Sequence, residues 1–177
     1  LGAIFSTTVL AQEGDTTTIT DYEVISAPAL SSDRIKSEVL IEVTTVGSRL
    51  VAVGAHGNIL WKEDDDWQQA DVDTSVLLTS VAFANEQIGW GTGHHGVIIK
   101  TEDGGNSWKR QFDGFELMKL EKSYYEKRIA KLNEQIESSD DEEVVGELEW
   151  QVEEAQFQIS NIEVAEEEGP SKPFLDL

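Results

Sequence analysis

The stretch that decides the fold is Gly93-His94-His95-Gly96-Val97-Ile98-Ile99-Lys100-Thr101-Glu102-Asp103-Gly104-Gly105-Asn106-Ser107-Trp108. It reads as a strand, a tight turn rich in acid and glycine, and a second strand that opens on tryptophan. Thr101, Asp103, Gly105, Ser107 and Trp108 carry the turn, in the pattern Ser/Thr-x-Asp-x-Gly-x-Ser/Thr-Trp. Asp103 can accept hydrogen bonds from the backbone of its own turn. Gly105 can take a positive φ without a Cβ clash. Trp108 offers a large flat surface to bury between sheets. These residues build a hairpin; by themselves they build no catalytic site.

The strand-turn pattern occurs twice. His56-Gly57 falls on His95-Gly96, Gly54 on Gly93, and Ile59-Leu60 on Ile98-Ile99, at a shift of about 39 residues. That period suits one four-stranded blade of a β-propeller. In the first copy, strands are expected at Val39–Val43, Arg49–Gly54, Gly57–Lys62 and Asp66–Ala70. In the second they are expected at Leu78–Phe83, Ile88–Thr92, Val97–Lys100 and Ser107–Phe112. The first copy keeps Asp64 and Trp67, but Glu63-Asp64-Asp65-Asp66 stands where the turn glycines should be. It therefore reads as a degenerate blade with a tighter turn.

The turn is the Asp-box, or BNR repeat. With Ile88-Gly89-Trp90-Gly91-Thr92-Gly93 before it, the string resembles blades of the β-propeller family typified by the photosystem II stability/assembly factor. The resemblance covers residues 36–113, with a faint return in Pro173–Leu177. It implies a non-enzymatic exported protein that binds a membrane-protein complex during assembly, with transport proteins suspected as partners outside photosynthesis. The acidic helical insert and the degenerate first turn depart from the photosynthetic pattern.

From Phe115 to Glu168 the apolar period changes from two to about 3.5. A first helix is predicted from Phe115 or Glu116 to Glu137, with Met118, Tyr125, Ile129, Leu132 and Ile136 on one stripe. A second is predicted from Asp141 to about Val164, with Val145, Leu148, Val152, Ala155, Ile159 and Ile162 in the 3-4 alternation of a coiled coil. Ser139 with Glu142, or Asp140 with Glu143, is the expected cap. Fraying is expected at Glu166-Glu167-Glu168, where negative charge opposes the helix dipole. The fold class is thus mainly β with an α-helical insert: a partial propeller of two four-stranded blades plus an antiparallel helical hairpin.

Five segments follow. Residues 1–11 read as a signal-peptide remnant, with Val9 and Ala11 at the −3 and −1 positions of a cleavage site. Residues 12–35 form an N-terminal arm in which Tyr22–Ser26 is a candidate ring-closing strand. Residues 36–113 are the blades, 114–168 the hairpin, and 169–177 the start of a further blade. Two blades cannot close a ring, so the chain reads as a fragment of a longer protein. The signal-like start points to a periplasmic or otherwise exported location, luminal in photosynthetic relatives.

The formal net charge is −22, which opposes binding to nucleic acid or to an anionic membrane surface. Cysteine is absent, which removes disulfide and thiol chemistry. No segment is apolar enough to insert in a bilayer. His56, His94 and His95 lack metal-ligand spacing and read as turn residues, so no metal or cofactor is expected. Asp64, Asp65 and Asp66 lack the alternation and glycine of a calcium loop and read as a solvated turn. Asp-boxes also occur in sialidases, whose sites need clustered arginines with a Tyr/Glu pair. The chain offers Arg34, Arg49 and Arg110 without that pairing. The alternative reading, a sialidase-like glycan-binding or glycoside hydrolase propeller, would draw its site from blades outside this sequence. Trp61, Trp67, Trp90 and Trp108 read as inter-blade packing. Trp150 and Phe157 sit off the main stripe of the second helix; with Glu153 and Glu154 they form the candidate partner surface. Self-association through the hairpin is the competing use of the helices.

Overall fold

The computed structural model describes residues 23–31 and 37–176. The signal-like stretch 1–11, the leader 12–21 and Arg34 lie outside the described residues. The first sheet is an antiparallel meander of β1 (Leu40–Val46), β2 (Arg49–Gly54), β3 (Ile59–Lys62) and β4 (Gln68–Gln69), in that order. A short strand β5 (Asp71–Val72) follows. Then come β6 (Leu78–Phe83), β7 (Gly89–Gly93), β8 (Ile98–Thr101) and β9 (Ser107–Phe112). The second sheet has the order β5-β9-β8-β7-β6. Its last four strands form the second blade, and the two sheets with the hairpin make a partial propeller.

The repeat survives in detail. Leu40 pairs with Gly54 in the first sheet and Leu78 with Gly93 in the second, each followed by a register shift. Each second strand runs into a single 3-10 turn, Ala55–Gly57 or His94–Gly96. In each turn the middle histidine takes φ 57°, and a glycine at positive φ follows. A Cβ on Gly57 would meet the Thr74 carbonyl oxygen at 2.0 Å, so the next connection passes too close for any side chain.

β5 was not expected from sequence. Asp71 and Val72 pair in parallel with Ser107 and Trp108, so the chain leaving the first blade adds an outer strand to the second. Two residues carry no period; only the partner strand makes them a strand. A continuous core results. Val46, Val51, Val53 and Ile59 from the first blade pack with Val72, Val76, Leu78, Val81, Val97, Ile99 and Trp108 from the second. The innermost strands β1 and β6 lie side by side, and Glu42 Oε2 accepts the Val81 amide at 2.7 Å.

The candidate strand Tyr22–Ser26 is corrected: Glu23–Ile25 is one 3-10 turn. It is held across the inter-blade connection, not added to a sheet edge. Ser75 N donates to Val24 O at 2.9 Å, Ala29 N to Val72 O at 2.9 Å, and Arg110 Nη1 to Ile25 O at 2.7 Å. Ile25 is buried there. Alternation over five residues gave way to these long-range donors.

The helices are α1 (Gly114–Glu137) and α2 (Glu142–Glu168), packed side by side as the apolar stripes require. Leu132, Ala155 and Ile162 are buried in their seam. Asp113 caps α1, accepting from the amides of Phe115 and Glu116. The cap of α2 is Asp141, not Ser139 or Asp140; it accepts from the amides of Glu143 and Val144. The last turn of α2 is helical through Glu168, against the expected fraying. Lys122 of α1 supplies the missing positive charge, 2.9 Å from Glu163 and 3.9 Å from Glu166. Gly169 at φ 83° ends the helix, and Pro170 is buried beyond it.

The hairpin leaves and returns at one place on the second blade. A Cβ on Gly114 would lie 2.2 Å from Pro170 Cβ, and His95 Nδ1 donates to Pro170 O at 2.5 Å. Pro173–Asp176 forms no strand, but Phe174 N donates to Gly93 O at 3.0 Å and Thr79 Oγ1 to Phe174 O at 2.5 Å. The segment therefore lies along the β6–β7 end of the second sheet.

Candidate functional site: the Asp-box and the outer face of the hairpin

The Asp-box spends its polar atoms on itself. Asp103 Oδ1 accepts from Thr101 Oγ1 at 2.8 Å and from Ser107 N at 2.9 Å, while Oδ2 accepts from Ser107 Oγ at 2.7 Å. Thr101 Oγ1 in turn accepts from Gly105 N at 2.9 Å and more loosely from Asp103 N at 3.3 Å. Asn106 Nδ2 donates to Asp103 O at 2.5 Å. Trp108 Nε1 donates to Gly105 O at 3.1 Å, which lets the fully buried indole satisfy its one donor. Phe83 meets the Trp108 ring edge-on, with centroids 5.6 Å apart. Gly105 stands at φ 93°, a backbone region costly for any residue with a Cβ.

Partial burial opposes the Asp103 charge. Donation from the Ser107 hydroxyl and amide, then from Thr101 and the Asn106 amide, outweighs it, so the carboxyl lies below its ordinary range. The carboxylate is thus held by donors from its own turn, in its charged form.

Arg49 ties the Asp-box to the first blade. Its Nη1 donates to Gly104 O at 3.3 Å, its Nε lies 3.3 Å from Glu63 Oε2, and its guanidinium stacks 4.5 Å above the Trp61 ring. The Ser48 hydroxyl first, then Arg49, holds Glu63 below the ordinary carboxylate range. Nothing in the local sequence around Arg49 announces this role, because its partners come from two distant segments, Trp61 with Glu63 and the Asp-box turn at Gly104. Arg110 is committed elsewhere: its amide to Asp73, its guanidinium to Ile25 O and to Asp113 at 3.5 Å. Arg49 and Arg110 therefore do not converge.

Of the four blade tryptophans, only Trp108 is fully buried. Trp61, Trp67 and Trp90 are half-buried, each with a cation over its ring from Arg49, Lys62 or Lys100. Among the described residues no group of three or more His, Cys, Asp or Glu side chains could hold a metal ion. No helix among the described residues is long and apolar enough to cross a membrane.

The second candidate surface is a face of α2. Trp150 and Phe157 are 62% and 63% exposed, and Glu153 and Glu154 lie between them on the same side of the helix. These four residues share no atom with the Asp-box; they stand on the hairpin.

No curated protein and no solved structure matches the chain. A family model does: residues 60–146 match the one described as photosynthesis system II assembly factor YCF48. The matched stretch starts in β3, covers the whole second blade with its Asp-box and α1, and ends in the first turns of α2. Over residues 60–146, just under half of its length, the chain is similar to this photosystem II assembly-factor family of BNR-repeat propellers.

Proposed function

We propose that the protein is an exported, non-enzymatic scaffold that docks a membrane-protein complex during its assembly. The observation that carries this reading is the division of labour between the two surfaces. The Asp-box polar groups are consumed by internal hydrogen bonds, so the blades act as a frame. The hairpin keeps large apolar and acidic side chains free for contact. The family match supports an assembly role at the level of the family. The signal-like residues 1–11 support export to the periplasm or a comparable compartment. In mechanism, the frame holds the hairpin at a fixed angle through Gly114, His95 and Pro170, and charge steers a basic partner toward it.

The test is affinity capture of the exported protein crosslinked in native membranes, with and without residues 115–168. One membrane complex recovered only when the hairpin is present is the expected result. The same complex recovered without the hairpin overturns docking through it.

A further inference from the structure

The outer line of α2 is a feature the fold itself does not use. Ala155 and Ile162 face α1 and are buried. At about 100° per residue, Trp150, Phe157 and Val164 fall on one line on the opposite side of the helix. They are 62%, 63% and 55% exposed. Seven-residue spacing is the spacing at which one helix meets another along its length. From Trp150 to Val164 the line runs about 21 Å at 1.5 Å per residue. Large aromatic side chains left this open mark contact surfaces.

The charge around the line selects the occupant. Glu153 and Glu154 sit between Trp150 and Phe157, Glu147 lies one turn before, and Glu167 and Glu168 lie one turn after Val164. No Lys, Arg or His occurs from Asn133 to Ser171. Among the described residues, the ion pairs of α2 are those of Glu163 and Glu166 with Lys122; the glutamates beside the line have none. A second copy would bring the same glutamates and a net charge of −22, and an anionic bilayer would be repelled likewise.

We propose that this face of α2 is a docking rail for a helical segment of a partner protein, with apolar side chains at seven-residue intervals flanked by Lys or Arg. The proposal rests on the scaffold reading and names the chemistry of its partner. The partner helix would lie along α2 as a third helix, its apolar row against Trp150, Phe157 and Val164 and its cations over the glutamates.

The test uses the full chain and two designed helical peptides. One carries a leucine row flanked by lysines; its twin has every lysine replaced by glutamate. Calorimetry at low and high salt should show the basic peptide binding, weakened about tenfold or more by salt, and no binding of the twin. Trp150→Ala/Phe157→Ala should weaken binding by about tenfold or more, because aromatic anchors dominate such interfaces. Glu153→Lys/Glu154→Lys should shift the preference toward the acidic twin. All four side chains are exposed, so circular dichroism should show an unchanged fold. Failure of the basic peptide to bind, equal binding of the twin, or indifference to both variants overturns the rail. So does a dimer in sedimentation that Trp150→Ala/Phe157→Ala abolishes, which assigns the face to a second copy. In the membrane capture, loss of the complex on hairpin deletion with retention in Trp150→Ala/Phe157→Ala overturns the rail and leaves the scaffold reading standing. Capture that survives hairpin deletion overturns docking through the hairpin and the rail with it, and failure to capture any complex overturns the scaffold reading itself.

Discussion

Asp103 shows how one carboxylate can fix a turn. Its two oxygens gather Thr101 Oγ1, Ser107 N and Ser107 Oγ within 2.9 Å. Asp103→Ala is expected to lower stability by about 2–3 kcal/mol, since hydrogen bonds to a charged group each contribute about 1.5–3 kcal/mol and act here on one loop. Urea denaturation measures it. Asp103→Asn keeps the shape and supplies a pH test. The folded carboxyl lies below its unfolded value of about 3.9, so the contribution is full above that value and fades as pH falls through the folded pKa. The stability gap between wild type and Asp103→Asn should therefore close on acidification from about pH 6 to below about pH 3. An unchanged gap would show that the charge is not what holds the turn. The two histidines at φ 57° supply a third residue-scale test. His56→Gly should stabilise by up to about 1 kcal/mol, because a left-handed non-glycine residue costs about that much. His95→Gly should gain less, because it also loses the bond to Pro170 O. The Asp-box was legible because its residues are adjacent and each has a local reason. Arg49 was not, because its partners Glu63, Gly104 and Trp61 converge only after two blades have packed.

At the scale of the element, period carried the information and local signals set the ends. The 3-4 alternation from Val145 to Ile162 specified α2, and Ala155 and Ile162 are buried where that alternation puts them. The two misreadings in the hairpin were both at helix ends. Asp141 outcompeted Ser139 and Asp140 as cap because its carboxylate reaches two free amides, those of Glu143 and Val144. The acidic last turn persists because Lys122 comes from the other helix, a contact that no property of α2 alone foretells. Lys122→Ala should therefore loosen the end of α2 in particular. Amide exchange should speed up at residues 164–168 and stay unchanged near Asp141. Equal acceleration along the helix would assign Lys122 a general packing role instead. β5 marks the opposite limit. A two-residue strand exists only through its pairing with Ser107 and Trp108, so no window of sequence contains it.

At the scale of the whole molecule, the two blades act as one unit because their cores are continuous. Val51 and Val53 of β2 belong to the same buried cluster as Trp108 of β9. Trp108→Ala should cost about 3–5 kcal/mol and unfold both blades in one transition, seen by calorimetry as a single peak at lower temperature. Two separated peaks would show that the blades melt independently. The hairpin stands outside this unit. It departs and returns through neighbouring residues, Gly114 and Pro170, fastened by the His95 bond. Helix α1, at 24 residues, is about 36 Å long. The geometry is that of a lever on a narrow fulcrum. A load applied at the tip near Ser138–Asp141 is multiplied at the base, so a bound partner that shifts can twist the His95 turn and the inner end of the second blade. Adding seven residues to each helix would lengthen the arm by about 10 Å and leave the blades untouched, which makes reach and framework separately adjustable quantities.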